Sequence, residues 1–162
     1  MKGKYRDRYL LKNIFLVALS RCGKIDEEEI MRGGMMEHVL TVTNTSRKEN
    51  ALHLHPIENW PLSEWQRLKD GMRLLVDSEA LTFVYVLDSD DAFVQLRLPR
   101  QVWPVLKEAY EKEWDVYASL YEPILLAHFH EEMEYVLTNI PGNGNYGKEM
   151  VEAVEEIFQV QP

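Results

Sequence analysis

Hydrophobic and polar positions alternate with a period of two in four segments, the pattern of β-strands. In the first pair, 38–43 and 51–55, Leu and Val alternate with Thr or His across a polar turn, 44–50. The second pair is 81–87 and 92–98, and 81–87 is apolar on both faces, as a central strand requires. The pattern therefore predicts two antiparallel hairpins.

Other segments have the spacing of three to four residues that indicates amphipathic helices. Helices are predicted at 5–21, from Asp26, from Ser63, from Pro104, from Glu122 and after the loop 141–147. Three of them have an apolar face: Trp65, Leu68, Met72 and Leu75 in the helix from Ser63; Leu125, Phe129, Met133, Val136 and Ile140 in the helix from Glu122; and Met150, Val154 and Phe158 in the last helix. Together the elements predict an α+β fold, with an antiparallel sheet of about four strands packed with helices and a helical C-terminal half. We expect residues 1–162 to form one domain, because no repeat or linker interrupts the pattern.

Composition agrees with a soluble protein that has its own core. Of 162 residues, 46% are hydrophobic, and the single cysteine, Cys22, suits a reducing compartment. The apolar run 14–19 is much shorter than the roughly 20 residues that a membrane-spanning helix needs. We therefore expect a cytoplasmic protein with no membrane partner.

Charge is distributed unevenly along the chain, whose formal net charge is −9. Residues 101–162 hold three Lys and twelve Asp or Glu, whereas residues 1–24 hold seven Lys or Arg and one Asp. An acidic surface repels phosphate backbones, so we expect no nucleic-acid partner. The sequence 142–147 also satisfies G-x-G-x-x-G, but Glu149 stands where a phosphate-binding loop needs Ser or Thr, which favours a simple interhelical loop.

Histidines suggest one candidate metal site. His53 and His55 lie two apart on a predicted strand and so share a face, where both can reach one ion. His128 has helical spacing to Glu131 or Glu132, and these side chains together would suit a divalent metal such as zinc. The alternative is that all are surface or interface histidines. No cofactor is expected beyond this ion.

Aromatic and acidic residues of the C-terminal half suggest a binding surface instead. Trp114, Tyr117 and Tyr121 stand at helical spacing in an acidic segment, and Glu131 and Glu134 follow. Apolar anchors in a negative field are typical of a protein that docks on a basic partner. The alternatives are packing between helices and self-association.

The leading hypothesis is therefore a noncatalytic protein-binding or regulatory module that acts on a basic protein, as an inhibitor protein does. The second hypothesis is a metal-binding protein or metal-dependent enzyme that uses His53, His55 and His128 with a glutamate. No set of residues in the sequence has the arrangement of a catalytic site, so the expectation leans against an enzyme.

Overall fold

The computed structural model describes residues 38–90 and 92–162. The strands are β1 (Val39–Lys48), β2 (Ala51–Pro56), β3 (Lys69–Asp77), β4 (Thr82–Asp88), β5 (Phe93–Pro99), β6 (Asp115–Ala118) and β7 (Ile124–Leu125). The α-helices are α1 (Leu62–Trp65), α2 (Trp103–Glu111), α3 (Phe129–Asn139) and α4 (Lys148–Phe158), with 3₁₀ turns at Arg100–Val102 and Gly144–Tyr146. The predicted helices at 5–21 and from Asp26 lie outside the described residues.

All seven strands form one mixed sheet in the order β3-β4-β5-β1-β2-β6-β7. Three-stranded β3-β4-β5 is antiparallel, and so are the pairs β1–β2 and β6–β7. Parallel pairing joins these units: Val39–Thr41 of β1 lies along Gln95–Arg97 of β5, and β2 runs parallel to β6. The end strands β3 and β7 come into contact, which makes the sheet nearly barrel-shaped.

The predicted four-stranded antiparallel sheet with a helical C-terminal half is wrong. Both predicted hairpins occur, as β1–β2 and β4–β5, although β1 continues through the expected turn to Lys48. Three further strands, β3, β6 and β7, lie in segments that were predicted to be helical or to carry helical spacing. Two parallel pairings make the sheet mixed rather than antiparallel.

The expected helix from Ser63 is a short turn of helix followed by β3. Trp65, Leu68, Met72 and Leu75 match a helical period by coincidence, whereas Leu74, Leu75 and Val76 are all buried, as strand residues covered on both faces are. Gly71, a poor helix former, lies in the middle of the expected helix. Pairing with β4 therefore outweighs the local periodicity.

Helices α2 and α4 pack against the face of the sheet that carries Phe83. The rings of Phe83 and Trp103 are stacked with centroids 4.4 Å apart, and Phe158 of α4 lies about as close to both rings, at 6.0 and 5.8 Å. Trp103 Nε1–H donates to the backbone oxygen of Leu98, so the only polar atom of this buried side chain is satisfied. Within the described residues, no helix is both long and apolar enough to cross a membrane.

Replacing Trp103 with alanine should lower the free energy of unfolding by about 3–5 kcal/mol, because a fully buried ring would leave a cavity. Denaturant titration measures this loss. Trp103→Phe keeps an aromatic ring against Phe83 and should cost less. A loss for Trp103→Ala no larger than that for Leu62→Ala, at a position 48% exposed, would contradict the assignment of the core.

Candidate functional site

A group of polar side chains meets where the edge of β3 faces the start of α3. We call Asp70, Tyr85, His128 and Glu132 the seam cluster. Asp70 Oδ1 accepts from the Tyr85 hydroxyl at 2.6 Å and from the Met72 backbone N–H at 2.8 Å. Asp70 Oδ2 accepts from His128 Nδ1–H at 3.1 Å. Three donors thus hold one carboxylate, which in turn orients the imidazole.

The phenol of Tyr85 is fully buried within this cluster. Burial raises the pKa of Tyr85 far above its usual range, and the hydrogen bond to Asp70 raises the pKa further. The hydroxyl therefore remains protonated and acts only as a hydrogen-bonding group at any physiological pH. This behaviour favours a structural role for Tyr85 over proton transfer.

Glu132 is a buried carboxylate, 3% exposed, in the first turn of α3. Its Oε1 accepts from the backbone N–H of Leu74 at 3.0 Å. Because β3 is an end strand, no described strand is hydrogen-bonded to its outer side, and the glutamate supplies the missing acceptor. Glu132 therefore ties α3 to the edge of the sheet.

The backbone of β3 is distorted beside the seam cluster. The register with β4 shifts between Asp70 and Arg73, which marks a β-bulge. Met72 in this bulge has φ of 61°, and a Cβ on Gly71 would clash with the backbone oxygen of Val86. Only glycine fits at position 71, so the sequence Asp-Gly sets the bend that aims Asp70 at His128.

A second polar group lies on the sheet face opposite to Leu52 and Leu54. We call Ser46, His53, His55, Tyr117 and Ser119 the histidine face. His55 Nδ1–H donates to the Ser119 backbone oxygen at 3.0 Å, and His55 Nε2 lies 2.7 Å from Ser46 Oγ. His53 Nδ1 lies 2.7 Å from Ser119 Oγ, and its ring stacks on Tyr117 at 5.1 Å. Strand register brings these side chains together from β1, β2 and β6.

Partial burial of His53 lowers its pKa, and the nearby charges of His55 and Lys48 lower the pKa further. A proton on this ring would add a positive charge to the face that carries Lys48. Burial and the neighbouring charges therefore disfavour the protonated ring.

The histidines expected to share a metal lie in separate places. His53 and His55 are neighbours on β2, with ring centroids 6.4 Å apart, whereas His128 binds Asp70 in the seam cluster. In the part of the chain that the structure describes, no group of three or more His, Cys, Asp or Glu is arranged to hold a metal ion. Glu132 is committed to Leu74, and Glu131 is exposed.

The expected partner-binding residues also differ in their surroundings. Trp114 is 7% exposed and lies beneath two cations, with the Arg47 Cζ and the Lys112 Nζ 4.8 and 5.1 Å from its ring centroid. Tyr117 is half-buried against His53, whereas Tyr121 is 45% exposed. The helical spacing that linked these aromatic residues does not apply, because Asp115–Ala118 is strand β6. Glu131 and Glu134 are exposed on α3.

Asp70 and Tyr85 did not emerge from the sequence as site residues. A glycine inside a strand pattern is a known signal of a bulge, and Asp70-Gly71 carries it. The pairing of Asp70 with His128, 58 positions later, has no local signal.

Removing the Tyr85 hydroxyl should lower the free energy of unfolding by about 1–3 kcal/mol, because Asp70 then loses its buried donor. Thermal or denaturant unfolding of Tyr85→Phe measures the loss. Tyr121→Phe is the matched control, since its hydroxyl donates to the Trp60 oxygen at an exposed site and should matter less. Equal losses in the two variants would contradict this role.

Acidification should reveal the lowered pKa of His53. Because the unfolded ring takes up its proton near pH 6.5, ahead of the folded one, the contribution of His53 to stability is full above that pH and declines below it. In NMR titrations, His55→Gln should raise the pKa of His53, and Lys48→Gln should raise it less. An unchanged His53 titration in His55→Gln would contradict the coupling.

Comparison with known proteins gives the relatives of the chain. Residues 40–158 match the model of a family of unknown function, UPF0738. A UPF0738 protein from Shouchella clausii is 43% identical over 94 residues, or 57% of this chain and 76% of the relative. One from Bacillus cytotoxicus is 35% identical over 124 residues, or 76% and 99%. No solved structure matches.

A third relative, the UPF0738 protein of Anoxybacillus flavithermus, is 36% identical over 142 residues, which are 86% of this chain and 99% of that protein. The names of these relatives state no activity. Because the family model matches residues 40–158 and the chain aligns with nearly the full length of two relatives, the chain belongs to UPF0738, a family of unknown function.

Proposed function

We propose that this protein acts by binding a basic segment of another protein rather than by catalysis. The proposed surface, which we call the acidic strip, consists of Tyr121, Glu122, Leu125, Glu131 and Glu134. Binding of this kind would regulate the partner by covering its basic surface. The observation that carries the proposal is a set of exposed carboxylates that make no ion pair with any residue of the described ranges 38–90 and 92–162.

Residues 113–147 contain six acidic residues and no Lys or Arg. Glu132 is buried on Leu74, and the other five are exposed: Glu113, Asp115, Glu122, Glu131 and Glu134. Among the described residues, none of these five makes an ion pair, whereas Glu108, Glu111, Glu152 and Glu156 all do. The charge of the strip is therefore available to a partner, and complementary charge accelerates and orients association.

Exposed apolar side chains occur in the same segment of the chain as these carboxylates. Tyr121 is 45% exposed and Leu125 43% exposed, unlike most large hydrophobic residues of the chain. Tyr121 is also held in place, because its hydroxyl donates to the Trp60 oxygen and its ring meets Trp65 edge-on. A rigid exposed aromatic ring is a common centre of protein interfaces.

The two polar clusters support binding over catalysis. In the seam cluster, the Tyr85 hydroxyl and the Asp70 carboxylate bind each other. In the histidine face, both ring nitrogens of His55 have partners. Most reactive groups are thus used within the fold, as expected of structural networks.

A photo-crosslinking residue at Leu125 should trap a specific protein in the cells that make this chain, and one at Ile57, which is 67% exposed and so more accessible, should not. Mass spectrometry identifies the product. Affinity for the purified partner should fall about tenfold in Glu122→Gln/Glu131→Gln/Glu134→Gln, and the salt dependence should decrease, because three favourable charges are lost.

The matched control is Glu149→Gln/Glu152→Gln/Glu156→Gln, which makes the same change in net charge on α4 and should bind normally. If both triple variants lose affinity equally, the loss depends only on the net charge of the protein, and the proposal of a defined binding surface is wrong. The proposal is also wrong if Leu125 traps no protein beyond those that Ile57 traps.

A further inference from the structure

The histidine face has the properties of an anion-binding site, a role distinct from the acidic strip. Lys48 and Ser46 of β1 pair in register with Ala51 and His53 of β2, so their side chains lie on the same side of the sheet. His55 follows His53 on that side, because side chains two apart on a strand share a face. One ammonium group, two imidazoles and a hydroxyl therefore meet on one surface.

Hydrogen bonds fix both rings before any ligand arrives. The Ser119 carbonyl can only accept, so Nδ1 of His55 carries a proton, and Nε2 of the neutral ring accepts from the Ser46 hydroxyl. His53 is held at Nδ1 by Ser119 Oγ and along its ring by Tyr117. Nε2 of His53 lies on the opposite side of that ring, at a side chain that is only partly buried.

The charges that act on the His53 ring come from two strands. Lys48 of β1 and His55 of β2 both act against a proton on His53. From β6, Tyr117 contributes an uncharged phenol, and Asp115 pairs with Ala51, the residue that Lys48 pairs with on the other side, so the face also carries one carboxylate. A bound anion next to His53 would offset the repulsion from Lys48 and favour the protonated ring.

We propose that Lys48, His53 and His55 bind a small oxyanion of the phosphate monoester class, with affinity that increases as the pH falls. Lys48 supplies a permanent charge, and the imidazoles add charge and N–H donors when they are protonated. In the free protein the Ser46 hydroxyl donates to His55 Nε2. If that nitrogen carries a proton, the hydroxyl is free to donate to the ligand instead.

The pH dependence follows from linkage. An anion beside His53 favours the protonated ring, so binding must raise the pKa of His53, and protonation must strengthen binding by the same factor. A rigid face of this kind loses little conformational entropy when the ligand binds. We expect phosphate to bind better than a carboxylate, because it offers more oxygens and more negative charge to these groups.

NMR titration of the full chain with inorganic phosphate and with phenyl phosphate tests the site. At pH 6, saturating ligand should shift the ring signals of His53 and His55 and raise the pKa of His53, whereas His128 and His130 should change little. Sodium chloride at matched ionic strength is the control for screening. The affinity for the phosphate dianion, corrected for the second ionisation of the ligand, should be about threefold to tenfold weaker at pH 8 than at pH 6, because the His53 ring loses its charge.

Lys48→Gln and His55→Gln should each weaken phosphate binding about two- to fivefold. Lys112→Gln is the matched control, since this exposed lysine lies over Trp114, away from His53, and should leave binding unchanged. Lys48 is exposed, so that variant is expected to fold even if His55→Gln does not.

Shifts that chloride reproduces, or that affect all histidines alike, would show screening only and overturn the proposal. Affinity that is equal at both pH values would overturn it as well. A response to phenyl phosphate but not to inorganic phosphate would show that the ring is bound instead of the oxyanion, and this result also contradicts the site.

Discussion

The fold depends on the position of β1 at the centre of the sheet. Over Val39–Thr41 it pairs in parallel with β5, and over most of its length it pairs with β2. The register with β2 shifts between Val42 and Asn44, which lets the strand leave β5 and continue with β2 alone. This one strand therefore joins two three-stranded units, β3-β4-β5 and β2-β6-β7, into a single sheet.

What the sequence reveals about this fold is mostly local. Strands β4 and β5 are close along the chain, and the run Thr82–Leu87 is buried on both faces, so their hairpin was visible in the pattern. The parallel partners of β1 and β2 lie more than fifty positions away, and no short-range signal selects them. β6 has only four residues, and its apolar positions suit a period of two as well as a helical one.

The candidate sites show the same division. His53 and His55 were expected to share a face, and they do, because the period of a strand is a local property. The placement of His128 depends on where α3 crosses the sheet, and the helix brings it to Asp70 instead. Glu132 was a candidate metal ligand together with His128, but it is buried and accepts from the Leu74 backbone N–H at the edge of β3. Glu132 satisfies a backbone N–H of the sheet edge, and no pattern in the sequence shows which N–H groups lack an acceptor.

Trp114 connects two distant parts of the chain in a way that can be observed directly. Arg47 from the tip of the β1–β2 hairpin and Lys112 from the end of α2 lie over the same indole, and both contact the Glu108 carboxylate. The hairpin tip is thereby fastened to the helical layer through a shared ring and a shared anion. Because indole emission responds to nearby charge, the part of the fluorescence that comes from Trp114, one of four tryptophans, depends on whether the hairpin tip stays in contact with α2.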